Sequence, residues 1–412
     1  MAVFKNIVIL MSGTTIAQAI PLAISPILTR IYSPSEFGVL AIYSSIMAVI
    51  AVIATCRYEL AILQPKQNDD AKSLVFLSFI SVIFISILSF IFALLYNKLN
   101  WNFFKNDDIG SWLYLLPVSI ICIGVYNICN YWLLRSNKYA SMAQGKVIQG
   151  GTISAVQAIL GFFKKTGLIL GLIIGQIFSA LFLFFKCRKN FKNLFKIKKE
   201  KIVQNALNYK KMPMLSTPGA FADTLSLQMP ILFVSYFFGG FLTGLFSFTI
   251  RILSTPSALI GVAVSQVVFK KVNDDLKENG NKILFFILKV YIGLLVIISP
   301  ILIIVFLFGE DIFEFIFGNK WSQAGEIAKL LVFAILVRFP ISALSSVLSV
   351  EKNIKLGTLW QFTYLITIVS VLFVFSHYEF NKFLMAFVVH EVTLYFIYFI
   401  LILIGAKRLQ EN

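Results

Sequence analysis

Apolar runs of about twenty residues recur along the whole chain, separated by short polar turns, and this pattern constrains the fold more than any single motif. A run of that length crosses the hydrocarbon core of a bilayer as an α-helix, because in lipid every backbone N–H and C=O must be bonded within the protein. The runs fall at 6–28, 37–62, 73–97, 112–134, 143–163 and 166–185, then at 212–237, 242–268, 283–308, 325–350, 356–376 and 383–405. The expected fold is all-α and integral to the membrane, with about twelve transmembrane helices in two six-helix halves around a central cleft. With 412 residues, 58% of them hydrophobic and 13% charged, little chain remains for a water-soluble domain, which normally carries roughly 25% charged residues. A soluble enzyme is excluded.

Basic residues set the expected orientation. Lys186, Arg188, Lys189, Lys192, Lys196, Lys198, Lys199, Lys201, Lys210 and Lys211 crowd one connection, which the positive-inside rule places in the cytoplasm. An even number of spans then puts both termini of a multi-pass membrane protein in the cytoplasm. The connection divides the chain into an N-terminal half at 1–185, a basic linker at 186–211 and a C-terminal half at 212–412. Both halves start from the cytoplasm, so a repeat between them is parallel. Phe37-Gly38 and Phe241 to Gly244 occupy matching places, as do Asp69-Asp70 and Asp274-Asp275. The net charge of +17 follows from this topology and argues for membrane lipids, not nucleic acid, as partners. Cys56, Cys122, Cys129 and Cys187 form no CxxC pair and read as packing residues.

One stretch is more specific. Pro26-Ile-Leu-Thr-Arg-Ile-Tyr-Ser-Pro-Ser-Glu-Phe-Gly38, continued by Arg57-Tyr-Glu-Leu-Ala-Ile-Leu-Gln-Pro65 and Asp69-Asp-Ala-Lys-Ser-Leu74, resembles the opening of the bacterial polysaccharide-unit (O-antigen) flippases. These belong to the multidrug/oligosaccharidyl-lipid/polysaccharide exporter superfamily. The motif match covers residues 10 to 80; beyond it the resemblance rests on the span count and the basic midpoint. It implies a non-enzymatic carrier of the bacterial inner membrane that moves a polyprenyl-pyrophosphate-linked oligosaccharide across it, with other polysaccharide assembly proteins as further partners. Physically, the same stretch turns the chain between two helices, since Pro34 disfavours helix at Ser33.

Charged residues within spans carry the most information, because each costs roughly 2.5–3.5 kcal/mol at a helix centre even on translocon scales. The deepest are Arg251, Arg338, Asp223 and Glu391; Arg57, Glu59, Lys146 and Lys289 lie nearer a span end. A cationic lumen for the pyrophosphate would use Arg251 and Arg338, helped by Arg57 and Lys146, since guanidinium binds phosphate oxygens as a planar fork and keeps its charge when desolvated. The plainer alternative pairs the two arginines with Asp223 and Glu391 as structural neutralisation. Asp223, Glu391 and His390 are also candidates for ion coupling. Glu326 and Lys329 have the spacing of a helix-edge pair.

Pro21 and Pro26 in the first span, and Pro218 and Pro230 in the seventh, are expected to bend these helices. Gly167, Gly171, Gly175 and Ser179 form a row suited to close helix packing. Trp101, Trp112 and Trp321 fall near expected membrane interfaces. No GxxxxGK[ST] loop occurs, and His377 and His390 make no HExxH motif, so neither a cofactor nor a metal is expected. Two other functions stay open. A multidrug cation exporter of the same superfamily would want a carboxylate-rich lumen, whereas cations outnumber acids within these spans. A membrane polysaccharide polymerase would need a larger outer loop than any here.

Overall fold

The computed structural model describes residues 2–99, 109–163, 166–192, 194, 197–277, 283–349 and 353–410. All regular structure among them is helical. Among the described residues, ten stretches are long and apolar enough to cross a membrane, where the sequence suggests about twelve. The helix Tyr139–Gly161 is not among the ten, and Met212–Ser257 counts as one stretch although its backbone breaks at Gly239, with φ 83° and ψ 174°. The chain packs as two compact units, Met1–Gly240 and Phe241–Asn412. Packing therefore divides the chain well beyond the basic linker, and residues 212–240 go with the first unit.

The first unit contains α1 (Ala2–Ile31), α2 (Pro34–Ala51), the short turn α3 (Tyr58–Ala61), α4 (Asn68–Lys98), α5 (Ile109–Leu113), α6 (Leu116–Arg135), α7 (Tyr139–Gly161), α8 (Gly167–Cys187), α9 (Lys199–Asn208) and the start of α10 (Thr217–Lys277). The Ser33 to Glu36 part of the quoted motif is a capping box. Ser33 Oγ accepts from the Glu36 N–H, Glu36 Oε2 accepts from the Ser33 N–H at 2.8 Å, and Pro34 sits at the first helical position, where no N–H is needed. α1 continues as helix through Pro21 and Pro26, and α10 leaves helical angles at Gly239, not at Pro218 or Pro230. Helix α7 packs against both α1 and α8. The approach is close because Gly150 faces the Ala17 carbonyl, Gly171 faces Gln157 and Gly175 faces Ile153, so the glycine row of α8 serves packing. Two buried hydroxyl bonds tie distant segments: Tyr32 to the Gln157 carbonyl and Tyr43 with Ser119 Oγ, both at 2.8 Å.

The expected second span does not run to residue 62. Helix α2 ends at Ala51, and turns lead through Cys56 and Arg57, both at positive φ, to α3. The basic linker also has structure. Its helix α9 docks on the start of α4, where Lys201 pairs with Asp70 at 3.1 Å and Asn205 donates to Asp70 at 3.2 Å and Ser73 at 2.8 Å. Arg135, at the end of α6, donates to the Ile62 carbonyl at 3.0 Å, so these connections share one end of the unit.

The second unit contains the remainder of α10, α11 (Ile283–Phe317), α12 (Ser322–Leu344), α13 (Ile354–Phe375) and α14 (Phe380–Gln410). α11 and α12 meet backbone to backbone at Gly309 and Gly325. Trp321, expected at an interface, is fully buried against Phe248, with ring centroids 4.4 Å apart; Trp112 is half-buried and Trp101 lies outside the described residues. Ile80, Ile83, Phe84, Ile87, Leu88 and Ile91 of α4 are exposed, as are many apolar residues of α11, which in water would be unfavourable and in a bilayer face lipid. Cys122, Cys129 and Cys187 are buried thiols within the first unit, and Cys56 is half-buried.

Candidate functional site

Within the second unit, α12, α13 and α14 bring Arg338, Tyr364, His390 and Glu391 together. The Glu391 carboxylate, 1% exposed, accepts a hydrogen bond from the Tyr364 hydroxyl and faces Arg338 Nη1 at 3.5 Å. Its neighbour His390, 5% exposed, lies with Nδ1 3.7 Å from the same carboxylate and Nε2 3.0 Å from Thr367 Oγ1. Arg338 also stacks over the Tyr395 ring, 5.6 Å from its centroid. Its side chain is one-third exposed, whereas the carboxylate behind it is not.

That asymmetry follows from chemistry. An isolated carboxylate cannot be buried cheaply, so it collects a phenol and a guanidinium; the guanidinium has five N–H donors and needs only some of them for Glu391. Arg338 and Glu391 line a cavity of about 490 Å³ together with Ser254, Ser257, Gln266 and Ser342. A small anionic group entering this cavity would meet a cation already oriented by its carboxylate partner. Pro340, next in sequence to the lining residue Phe339, lacks an N–H and leaves the Leu336 carbonyl without its helical donor.

The other candidates are distributed. Lys146, half-buried on α7, donates to Thr14 Oγ1 of α1 at 2.9 Å. Arg57 lies in the turn after α2, 4.0 Å from Glu59, whose buried carboxylate also accepts from Thr55 Oγ1. Arg251, exposed on the later part of α10, makes no ion pair among the described residues, and Asp223 is exposed on the earlier part. Arg338 thus faces Glu391, as the neutralising reading expects of that pair. Lys329 pairs with Glu310 of α11, not with Glu326, because the close approach of α11 and α12 brings that carboxylate nearer. Sequence reasoning missed Tyr364 and Thr367, since a tyrosine or threonine in a membrane helix carries no charge penalty to draw notice.

Solved structures with this fold are membrane transporters. The inward-facing structure of a multidrug resistance MATE family transporter of the MOP superfamily aligns over 97% of this chain and 96% of its own, with a TM-score of 0.75 at 13% identity. The Lipid II flippase MurJ in its inward closed conformation aligns over 98% of this chain and 90% of its own, with a TM-score of 0.74 at 15% identity. A MOP superfamily transporter from Pyrococcus furiosus aligns over 99% and 97%, with a TM-score of 0.57 at 13% identity. At 13–15% identity these likenesses show a shared fold, that of membrane transporters. Residues 27–326 match the polysaccharide biosynthesis protein family, and the chain belongs to it. An uncharacterized membrane protein of the cps region of Klebsiella pneumoniae is 24% identical over 369 residues, covering 84% of this chain and 71% of its own.

Proposed function

We propose that this protein is a flippase for a polyprenyl-pyrophosphate-linked oligosaccharide, an O-antigen or other surface-polysaccharide repeat unit, which it carries from the cytoplasmic to the outer leaflet. The observation that most supports this reading is the one-third-exposed Arg338, held by a buried carboxylate at the wall of a roomy cavity. Family membership supplies the pathway, polysaccharide biosynthesis. The cargo's head is anionic and hydroxyl-rich, while its tail is too apolar to leave lipid. A carrier of twelve helices in two halves, alternating access around a central cleft, moves the head and lets the tail slide in the bilayer. Arg338 and Arg251, with Lys146 and Arg57, hold the pyrophosphate and any acidic sugar; Glu391 and His390, with Asp223, are the groups available to couple an ion to the movement. The linker and both termini face the cytoplasm, and no bond is made or broken.

A strain lacking the gene is expected to accumulate lipid-linked repeat units on the cytoplasmic leaflet, and the wild-type gene to clear them. Arg338→Lys keeps the charge but loses the planar fork, and at equal protein level it should restore export poorly. Normal export by Arg338→Lys would remove Arg338 from the binding role. Accumulation of single units on the outer leaflet in the deletion strain would point to a polymerase instead.

A further inference from the structure

Helix α7 is unusually polar for a helix enclosed by membrane-spanning neighbours. Two of its polar residues have structural partners: Gln157 donates to the Leu168 carbonyl at 2.8 Å, and Lys146 to Thr14. Gln149 has another setting. It lines a cavity of about 190 Å³ in the first unit, with Tyr126 and Asn127 of α6 and Gln176 and Ser179 of α8. A single water needs about 10–15 Å³ of such space, so a molecule of monosaccharide size is within reach.

The lining carries amides and hydroxyls but no carboxylate, lysine or arginine. Each of these groups both donates and accepts, which suits sugar hydroxyls, and none brings a positive charge to a phosphate. Two of them are held ready. Gln176 is 3% exposed, and its Oε1 has no hydrogen-bond partner; the Tyr126 hydroxyl is buried and has none either. Buried polar atoms are nearly always satisfied, and leaving two unsatisfied beside one cavity is a cost to stability that a ligand's hydroxyls would remove.

We propose that this cavity is a sugar-reading subsite, which takes an uncharged pyranose ring of the cargo and bonds it through the Tyr126 hydroxyl and the Gln176 amide. The inference rests on the oligosaccharide reading above and adds to it a place in the first unit where a sugar is read.

The test uses full-length protein in nanodiscs and two probes, the lipid-linked repeat unit extracted from the deletion strain and undecaprenyl pyrophosphate bearing no sugar. Wild-type protein should bind the sugar-bearing lipid more tightly. Tyr126→Phe and Gln176→Leu should each weaken that binding about three- to tenfold, the loss of one hydrogen bond, and leave the bare lipid unaffected. Arg338→Lys should weaken both. Tyr126→Phe should also unfold at no lower temperature than wild type, because the hydroxyl it removes has no partner in the empty protein. Equal weakening of both probes by Tyr126→Phe and Gln176→Leu, or no weakening of either, overturns the subsite alone. Failure of wild-type protein to bind either lipid overturns the oligosaccharide reading and the subsite with it.

Discussion

A carboxylate that is 1% exposed on a membrane helix has to be stabilised by what surrounds it, and Glu391 depends on a phenol and a guanidinium. Removing one member of such a pair is worse than removing both, since the survivor is left charged and uncompensated, at a cost of about 3–5 kcal/mol. Arg338→Ala should therefore lower the thermal unfolding temperature of the detergent-purified protein clearly, and Arg338→Ala with Glu391→Gln should recover most of the loss. If the double variant is no more stable than Arg338→Ala, the pair is not what holds this region. The residues of this site were partly legible beforehand. Arg338, Glu391 and His390 stand out because ionisable groups are rare in apolar spans. Tyr126, Gln176 and Tyr364 do not, because their importance lies in what they fail or manage to bond to, and that depends on neighbours far away in the chain.

Between elements, glycine decides how near two helices come. A Cβ on Gly325 would run into the Gly309 carbonyl and the Glu310 backbone, neither of which can yield as a side-chain end would. Gly325→Ala should therefore destabilise the second unit by about 1–3 kcal/mol. Gly293→Ala, on the same helix as Gly309 but with nothing within 4 Å of its Cβ, should be neutral or gain up to about 1 kcal/mol of helix propensity. Thermal unfolding of the two variants side by side checks this, and equal effects would show that the crossing is looser than described. Hydropathy located the long helices because length and apolarity are local properties. It extended α2 too far, since Val52, Ile53 and Ala54 remain apolar after the helix has ended in turns. It also passed over α9, whose docking through Lys201 and Asn205 is a tertiary matter that charge alone presents as a solvated run.

For the whole molecule, composition alone was enough to place the chain in a membrane, while the division into packed units was not legible: the basic linker is a feature of topology, and compactness instead follows which helices touch. Orientation can be read directly. With Cys56→Ser as background, Lys210→Cys in the linker should react with a membrane-impermeant maleimide only after spheroplasts are lysed, whereas Tyr378→Cys, in the exposed turn before α14, should react in intact ones. The reverse pattern would invert the topology and with it the direction of transport proposed. The burial of Cys122, Cys129 and Cys187 has a use beyond this test. One conservative replacement leaves a chain whose remaining native thiols are shielded, so paired fluorophores can be attached at chosen positions and their separation followed through a transport cycle without rebuilding the interior.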